Sequence, residues 1–219
     1  MPRTMKTRRF IGFFLGVTLA FVLSPVAVST SVPTAHANQD AASFIDTMAT
    51  RAIEALTDPE LGNAVRAERF RELLKEGMDI PDIARRVLGP YVRRATDEEL
   101  VEFEGLLEEN IVRRYAIMFK DYSGERIEVV EVRNGRRGSE IVTVEIHLTD
   151  GSPPVEVQWV VHKVGSMYKV IDIIVENASM VTTQKEEFVS VIRRGGGEIE
   201  ALLIELRERN EEMAENILN

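Results

Sequence analysis

The fold is decided by residues 125–176, which read ERIEVVEVRNGRRGSEIVTVEIHLTDGSPPVEVQWVVHKVGSMYKVIDIIVE. Apolar and polar residues alternate in four runs of this stretch, at 125–133, 140–148, 155–163 and 167–176. Alternation with a period of two is the pattern of β-strands that bury one face. Because short turns join the runs, neighbouring strands should pair as antiparallel hairpins. The stretch therefore predicts a four-stranded antiparallel sheet with the usual twist.

Local details of the first run predict where the sheet bends and turns. The alternation slips by one residue at Val129 and Val130, which predicts a β-bulge. The pair Asn134-Gly135, which follows, is the strongest turn signal in the chain. We therefore expect a bent edge strand that ends in a tight hairpin.

Helical periodicity flanks the sheet on both sides. The longest apolar stripe begins after a capping box, in which Thr96 and Glu99 each satisfy a backbone N–H of the first turn. The apolar spacing and the stop signals predict helices at about 39–56, 64–75, 81–88, 96–122, 182–194 and 199–218. Helices followed by strands and then by helices indicate an α+β fold, in which a helical subdomain packs against the sheet.

The first 37 residues have the three parts of a secretory signal peptide. Four basic residues and no acidic one precede fourteen mostly apolar residues at 10–23, and the segment ends Ala35-His36-Ala37. A membrane anchor is the alternative, but it needs about 20 apolar residues to cross the bilayer. The pair Arg8-Arg9 fits a twin-arginine signal only loosely, so ordinary export is favoured. We predict cleavage near Ala37, export to the periplasm and a single mature domain over 38–219.

Composition limits the partners of the mature chain. It has no cysteine, so it has neither a disulfide nor a site for lipoprotein acylation. Removing the four basic residues of the leader leaves 23 basic and 36 acidic residues, a net charge of −13. Such a surface is repelled by nucleic acid and by anionic lipid headgroups. We expect a soluble monomer without a nucleic-acid partner.

Signatures of catalysis are sparse. No Gly-x-Ser-x-Gly elbow occurs, and His147 and His162 lack metal-ligand spacing. Asp172 interrupts an apolar run, so it is either a general base or the acceptor of a structural hydrogen bond; the second is favoured because no catalytic partner stands beside it. The glycines at 195–197 suggest a phosphate cradle or a break between helices, and the missing preceding strand favours the break. We predict a protein that is not an enzyme, with no catalytic residue, metal or cofactor.

Four stretches in a fixed order carry a family resemblance. They are LGPYVRRAT at 88–96, YSG at 122–124, YKVIDIIVENASM at 168–180, and Glu187-Phe188 followed by a glycine and then by Leu202, Leu203 and Leu206. This order resembles the MlaC family, the periplasmic phospholipid-binding component of the Mla lipid-asymmetry system, also called the toluene-tolerance family. The resemblance spans about 40–210. Val92 and Tyr168 stand where the family has tryptophan, and Asn177 stands where it has glycine.

The resemblance implies a soluble carrier that moves phospholipid between membrane complexes and so maintains the lipid asymmetry of the outer membrane. Its implied partners are an inner-membrane ABC transporter complex and an outer-membrane lipoprotein complex. The bound phospholipid would be cargo rather than a cofactor. It would lie in an apolar cavity enclosed between the sheet and the helical subdomain.

We expect the inner face of the sheet to oppose the stripe of the long helix across this cavity, with later residues closing one edge. The expected ligand-binding residues are Leu88, Tyr91, Phe103, Leu107, Ile111, Tyr115, Val144, Ile146, Val157, Trp159, Val161, Ile173, Val175, Met180, Phe188 and Ile192. The same residues could instead pack a filled core, because most buried apolar faces are simply packed. A periplasmic protein-binding adaptor or assembly factor with a filled core is therefore the alternative hypothesis, and a hydrolase is a third.

Overall fold

The structure, a computed structural model, describes residues 34–116, 122 and 124–218. Most of the predicted leader lies outside these residues. The α-helices are α1 (Thr34–Leu56), α2 (Asn63–Gly77), α3 (Ile80–Leu88), α4 (Asp97–Tyr115), α5 (Met180–Arg194) and α6 (Glu200–Leu218), with a 3₁₀ helix at Gly89–Arg93. Within the described residues, no helix is both long enough and apolar enough to cross a bilayer.

The capping box at the start of α4 is confirmed. The Glu99 N–H donates to the Thr96 hydroxyl at 3.1 Å, and the Thr96 N–H donates to the Glu99 carboxylate at 2.8 Å. The expected extension of this helix over Met118 falls outside the described residues, and Tyr122 is not helical. The long helix is therefore described only as far as Tyr115.

The sheet has five strands and not the predicted four. In order they are β1 (Arg126–Asn134), β2 (Glu140–His147), β3 (Val155–Val164), β4 (Met167–Val175) and β5 (Ala178–Ser179), and all neighbours are antiparallel. The missed strand β5 has two residues, too few to show alternation. It is reached through Glu176 and Asn177, whose φ angles of 49° and 66° are both positive, as a type I′ turn requires.

The predicted bulge in β1 is confirmed. Val129 pairs with Val144 and Glu131 with Thr143, which leaves Val130 as the extra residue. A second bulge was not predicted. In β4, Ile171 is extra, because its neighbours Val170 and Asp172 pair with adjacent residues of β3. This second bulge explains why Asp172 has apolar residues on both sides in the sequence.

Two predicted boundaries differ from the structure in detail. The hairpin after Asn134 is a five-residue loop, 135–139, in which Arg137 and Gly138 have positive φ, so the turn is broader than the Asn-Gly pair suggests. Helix α5 begins at Met180, ahead of the predicted start, because the Ser179 hydroxyl caps it by accepting the Thr182 N–H at 3.0 Å. The glycines at 195–197 do end α5, as predicted.

Buried apolar residues form two main groups. The helical cluster joins α3, α4, α5 and α6; its buried members are Ile83, Ala84, Val87, Leu88, Phe103, Leu107, Phe188, Val191, Ile192, Ile199, Leu202, Leu203 and Leu206. The sheet cluster joins α1 to the sheet; its buried members are Ala41, Ile45, Val142, Val144, Val161, Tyr168 and Val170. Most buried apolar side chains of the described residues therefore belong to these two cores, and a smaller third group, Leu74, Ile80 and Val112, lies between α2, α3 and α4.

Candidate functional site

One face of the sheet is a continuous apolar surface, which we call the apolar face. Its cross-strand rows are Ile127–Ile146–Val155, Val129–Val144–Val157–Val175, Val132–Val142–Trp159–Ile173 and, at one end, Val161–Val170. Paired residues of antiparallel strands point to the same side, so these side chains adjoin one another. The register thus brings together all the sheet residues that we expected to contact ligand: Val144, Ile146, Val157, Trp159, Val161, Ile173 and Val175.

Helix α1 covers one end of the apolar face. Ala41 and Ile45 are buried against it, and Phe44 packs beside them with its ring centroid 6.0 Å from that of Tyr168. This corrects our expectation that the stripe of α4 would oppose the sheet. In the described residues, α4 packs mainly against α6. The reason is that Leu202, Leu203 and Leu206 of α6 offer α4 an apolar surface against which its own stripe packs.

The rest of the apolar face is incompletely covered. Trp159 and Ile173 lie next to each other and are only half-buried, and Ile127, Val129 and Ile146 form a second half-buried group. The buried side chains of Val144 and Val157 lie between the two groups. Trp159, the only tryptophan of the chain, lies in the row between Val142 and Ile173. A contiguous, partly exposed apolar surface of this kind indicates a place where an apolar partner binds.

The helical residues of the expected site lie in the other core. Leu88, Phe103, Leu107, Phe188 and Ile192 are all at most 3% exposed, and the rings of Phe103 and Phe188 meet edge to face at 5.7 Å. Tyr91 and Ile111 pack at the margin of this cluster. The structure therefore separates these residues from the apolar face and leaves them in a packed interior.

Two expected residues lie neither in the helical cluster nor on the apolar face. Tyr115, the last residue of α4, is half-buried, and Met180, the first residue of α5, is 40% exposed. Neither is among the members of the two clusters. The structure does not bring them to the apolar face.

The two cores meet at the segment between α2 and α3. Met78 packs against both clusters. Its neighbour Asp79 caps α3, donates its N–H to the Val170 carbonyl at 2.9 Å, and places its carboxylate 2.8 Å from Nε2 of His162. The sequence predicts Asp79 as the cap of α3, and the structure confirms it. The sequence did not reveal the junction of the two cores, because Met78 and Asp79 lie between helices and outside any periodic pattern. The Asp-Ile-Pro sequence is nevertheless a helix-start signal.

A polar group closes the end of the apolar face that α1 covers. The Tyr168 hydroxyl donates to the Glu140 carboxylate at 2.5 Å, and both side chains are buried. Nζ of Lys163 lies 4.8 Å from the centre of the Tyr168 ring. Burial, followed by the bond to Glu140, raises the pKa of the Tyr168 hydroxyl, so it stays a neutral donor at ordinary pH.

The enclosed apolar cavity that the sequence predicts is not shown. The clefts described are about 330 Å³, between α2, α3 and α4, and about 390 Å³, between α1 and α2. Charged residues line part of each, and no expected ligand-binding residue lines either. The apolar face is thus only partly covered, and neither of these clefts between described residues lies beside it.

Asp172 is a structural acceptor, as the sequence reasoning favoured. It accepts the Ser179 hydroxyl at 2.6 Å and the N–H groups of Ile173 and Val181 at 2.9 and 3.1 Å. These bonds fasten β4 to the start of α5.

Other polar groups do not assemble into a catalytic set among the described residues. Ser166 and Lys169 have Ser-x-x-Lys spacing, but Nζ of Lys169 donates to the carbonyls of Lys75 and Glu76. Nε2 of His147 lies 3.5 and 3.6 Å from the carboxylates of Glu145 and Glu128. Within the described ranges, no group of three or more His, Cys, Asp or Glu could hold a metal ion.

Comparison with known proteins gives two findings. The family model described as MlaC protein matches residues 46–208. The solved structure of a phospholipid-binding protein from Ralstonia solanacearum, in complex with a phospholipid, is similar with a TM-score of 0.73 and 21% sequence identity, over 80% of this chain and 99% of that chain. At this identity the likeness shows a shared fold. No curated protein matches the chain significantly.

Proposed function

Because the chain belongs to the MlaC family, we propose that it is a soluble periplasmic phospholipid carrier that holds acyl chains against its apolar face. The observation that carries this proposal is the contiguous, half-covered part of that face around Trp159 and Ile173. The Ralstonia protein, which has the same fold, binds a phospholipid, and this likeness supports the proposal.

The physical need for a carrier is large. A phospholipid with two acyl chains has about 30 methylenes, and each costs about 0.8 kcal/mol to expose to water. The total is on the order of 20 kcal/mol, so a free lipid does not cross an aqueous gap at a useful rate. A carrier needs only an apolar surface that excludes water from the tails. It needs no catalytic group, and the carrier is not an enzyme under this proposal.

Cargo enters by opening the structure. A two-tailed lipid needs a site toward or above the upper end of the roughly 300–1,000 Å³ typical of small-molecule pockets. We infer that α1, which covers one end of the apolar face, moves away from it and that the tails take its place. The bonds of Asp172 to the start of α5 and of Lys169 to the end of α2 hold the sheet to the rest of the helical part during this movement.

The route of the carrier follows from its leader and its family. The signal-peptide pattern supports export, with cleavage near Ala37 leaving a mature protein of net charge −13. In the proposed pathway it exchanges phospholipid with an inner-membrane ABC transporter complex and an outer-membrane lipoprotein complex. Net direction is set by those partners, because binding to the carrier alone is reversible.

The test compares two isoleucines on opposite faces of one strand. Ile173 lies on the apolar face, Ile174 is its neighbour on the other face, and both are half-buried. Protein purified from bacteria is examined by native mass spectrometry for bound lipid, then stripped and reloaded from vesicles. Ile173→Gln should lower lipid affinity roughly tenfold, since a buried aliphatic contact contributes about 1.5 kcal/mol. Ile174→Gln should bind like wild type.

Two outcomes would refute the proposal. One is a wild-type protein that carries no lipid and takes none from vesicles. The other is an equal loss of lipid binding in both variants, which would remove the special role of the apolar face.

A protein-binding adaptor with a filled core remains the second candidate. The packed helical cluster and the lack of a described lipid-sized chamber favour it. Native mass spectrometry separates the two functions, because an adaptor shows the mass of the chain alone and a carrier shows the added mass of a lipid.

A further inference from the structure

Two turns meet at one end of the sheet. Glu140 pairs with Asn134 on one side and with Val161 on the other, so the loop 135–139 and the β3–β4 turn project from the same edge. The β3–β4 turn has Gly165 and Ser166 at its centre, and Gly165 has a φ of +63°. A glycine with positive φ in the first central position is the mark of a tight type II′ hairpin. We call these two turns the basic end.

The basic end is positively charged, whereas the protein as a whole is negatively charged. The segments 132–139, VRNGRRGS, and 162–170, HKVGSMYKV, contain arginine and lysine but no aspartate or glutamate. Arg136, Arg137 and Lys163 are exposed. Among the described residues, Arg136 and Arg137 form no ion pair, and Lys163 has only Asp40, at 3.9 Å. Arg136 and Arg137 therefore have no acidic partner among the described residues, on a chain that is acidic overall.

Exposed apolar side chains lie among these cations. Val164 and Met167 are cross-strand partners at the tip of the hairpin, 45% and 60% exposed. Single exposed apolar residues are common on proteins and need no explanation. A pair at the apex of a tight turn, at an end of the sheet that also carries exposed cations, is instead the composition of an element that enters a lipid interface.

We propose that the basic end docks briefly on a surface of anionic phospholipid headgroups, with Val164 and Met167 in the headgroup layer and the cations on phosphate. The acidic remainder of the protein is repelled by that surface, so it prevents lasting adsorption and orients the molecule with this end inward. A protein partner fits less well, because a specific interface buries about 800 Å² on each side and two side chains at a convex tip supply far less. The inference goes beyond the proposed function, since it concerns the outer surface and not the lipid site.

The test measures binding of the mature protein to sedimented vesicles. Vesicles of phosphatidylcholine alone are compared with vesicles that also contain phosphatidylglycerol, at low salt and again at about 0.5 M salt, where screening extends over only a few Å. Wild type should bind the anionic vesicles at low salt only. Arg136→Gln with Arg137→Gln should weaken this binding about tenfold or more, since each basic residue near such a surface strengthens binding roughly fivefold. Val164→Ser with Met167→Ser should also weaken it.

The matched control is Arg85→Gln with Arg93→Gln, which removes the same charge from two exposed positions of the helical part. It should bind like wild type. An equal loss in the control, or no preference of wild type for anionic vesicles, would overturn the inference. If the tip variants impair lipid delivery only when partner proteins are present, the basic end binds an acidic protein and the inference also fails.

The bound-lipid content of the same samples keeps this test apart from that of the carrier. Tip variants should carry as much lipid as wild type. Wild type that carries lipid but ignores anionic vesicles would refute docking alone. Wild type that docks but carries no lipid would refute the carrier function alone.

Discussion

The helical cluster and the apolar face are built from the same kinds of residue but are filled to different degrees. In the helical cluster, Phe103, Ile192 and Leu203 are completely buried. On the apolar face, Val142 is completely buried beneath α1, whereas Trp159 and Ile173 of the same row are only half-buried. The helical cluster is therefore fully packed, whereas the apolar face still exposes apolar surface that a partner could cover.

This difference separates stability from function. Packing that is already complete stabilises the fold and leaves no room for a ligand without a cavity being opened. A half-covered face gains free energy when something apolar covers the remainder. We therefore assign fold stability mainly to the helical cluster and lipid binding mainly to the apolar face.

The largest effect is expected from a matched pair of isoleucines in lipid-free protein. Ile192→Ala, in the helical cluster, should lower the free energy of unfolding by about 2–5 kcal/mol, because it leaves a cavity in a closed core. Ile173→Ala, on the apolar face, should cost about half as much or less, because part of its surface already contacts water. Urea unfolding measures both. If both variants lose the same free energy of unfolding, the two regions are equally well packed, and the contrast between them is wrong.

A smaller effect is expected at the connection between the sheet and α5. Asp172→Asn keeps the shape of the side chain but loses at least one of its acceptor bonds, so it should cost about 1–2 kcal/mol in urea unfolding. The control Glu131→Gln changes an exposed carboxylate of β1 and should cost almost nothing. Any ester hydrolysis that wild type shows should survive in Asp172→Asn; its loss would give Asp172 a catalytic role.

The smallest effect is electrostatic and lies in the helical part. Burial by itself raises the pKa of the Glu109 carboxyl, but hydrogen bonds from Arg71 and Arg113 outweigh it and hold this pKa below the usual 4.5. The unfolded chain therefore takes up the proton first as pH falls. The stabilisation is complete above about pH 4.5 and is lost as the pH drops through the folded-state value.

Glu109→Gln tests this dependence. At neutral pH it should cost less than about 1 kcal/mol, as for a partly exposed ion pair. Below pH 4.5, the variant should lose less stability than wild type does, as measured by urea unfolding at a series of pH values. Identical pH profiles would show that this network does not contribute to the stability of the helical part.

The sequence predicted the strands well because alternation records which face is buried. It placed the bulge at Val129 and Val130 and put Val157, Trp159 and Val161 on one face. It could not show β5, since two residues have no period. It also missed the bulge at Ile171, where two apolar neighbours hide the extra residue.

The candidate site was harder to predict, because apolar periodicity indicates which face of an element is buried but not which other element covers it. The stripe of α4 fits either the sheet or another helix, and α6 supplies the partner. The cover of the sheet, Ala41 and Ile45, comes from a helix distant in sequence. Whether a face is fully covered depends on such long-range packing between elements, and no local sequence pattern predicts that packing.

The central claim is that phospholipid tails lie against the apolar face, and Trp159 reports on it directly. Because Trp159 is the only tryptophan, its fluorescence comes from that face alone. The protein is loaded with phospholipid brominated along its acyl chains, and its emission is compared with that of protein loaded with the unbrominated lipid. We predict strong quenching by the brominated tails. Stoichiometric lipid binding without any quenching of Trp159 would place the tails elsewhere and contradict the account.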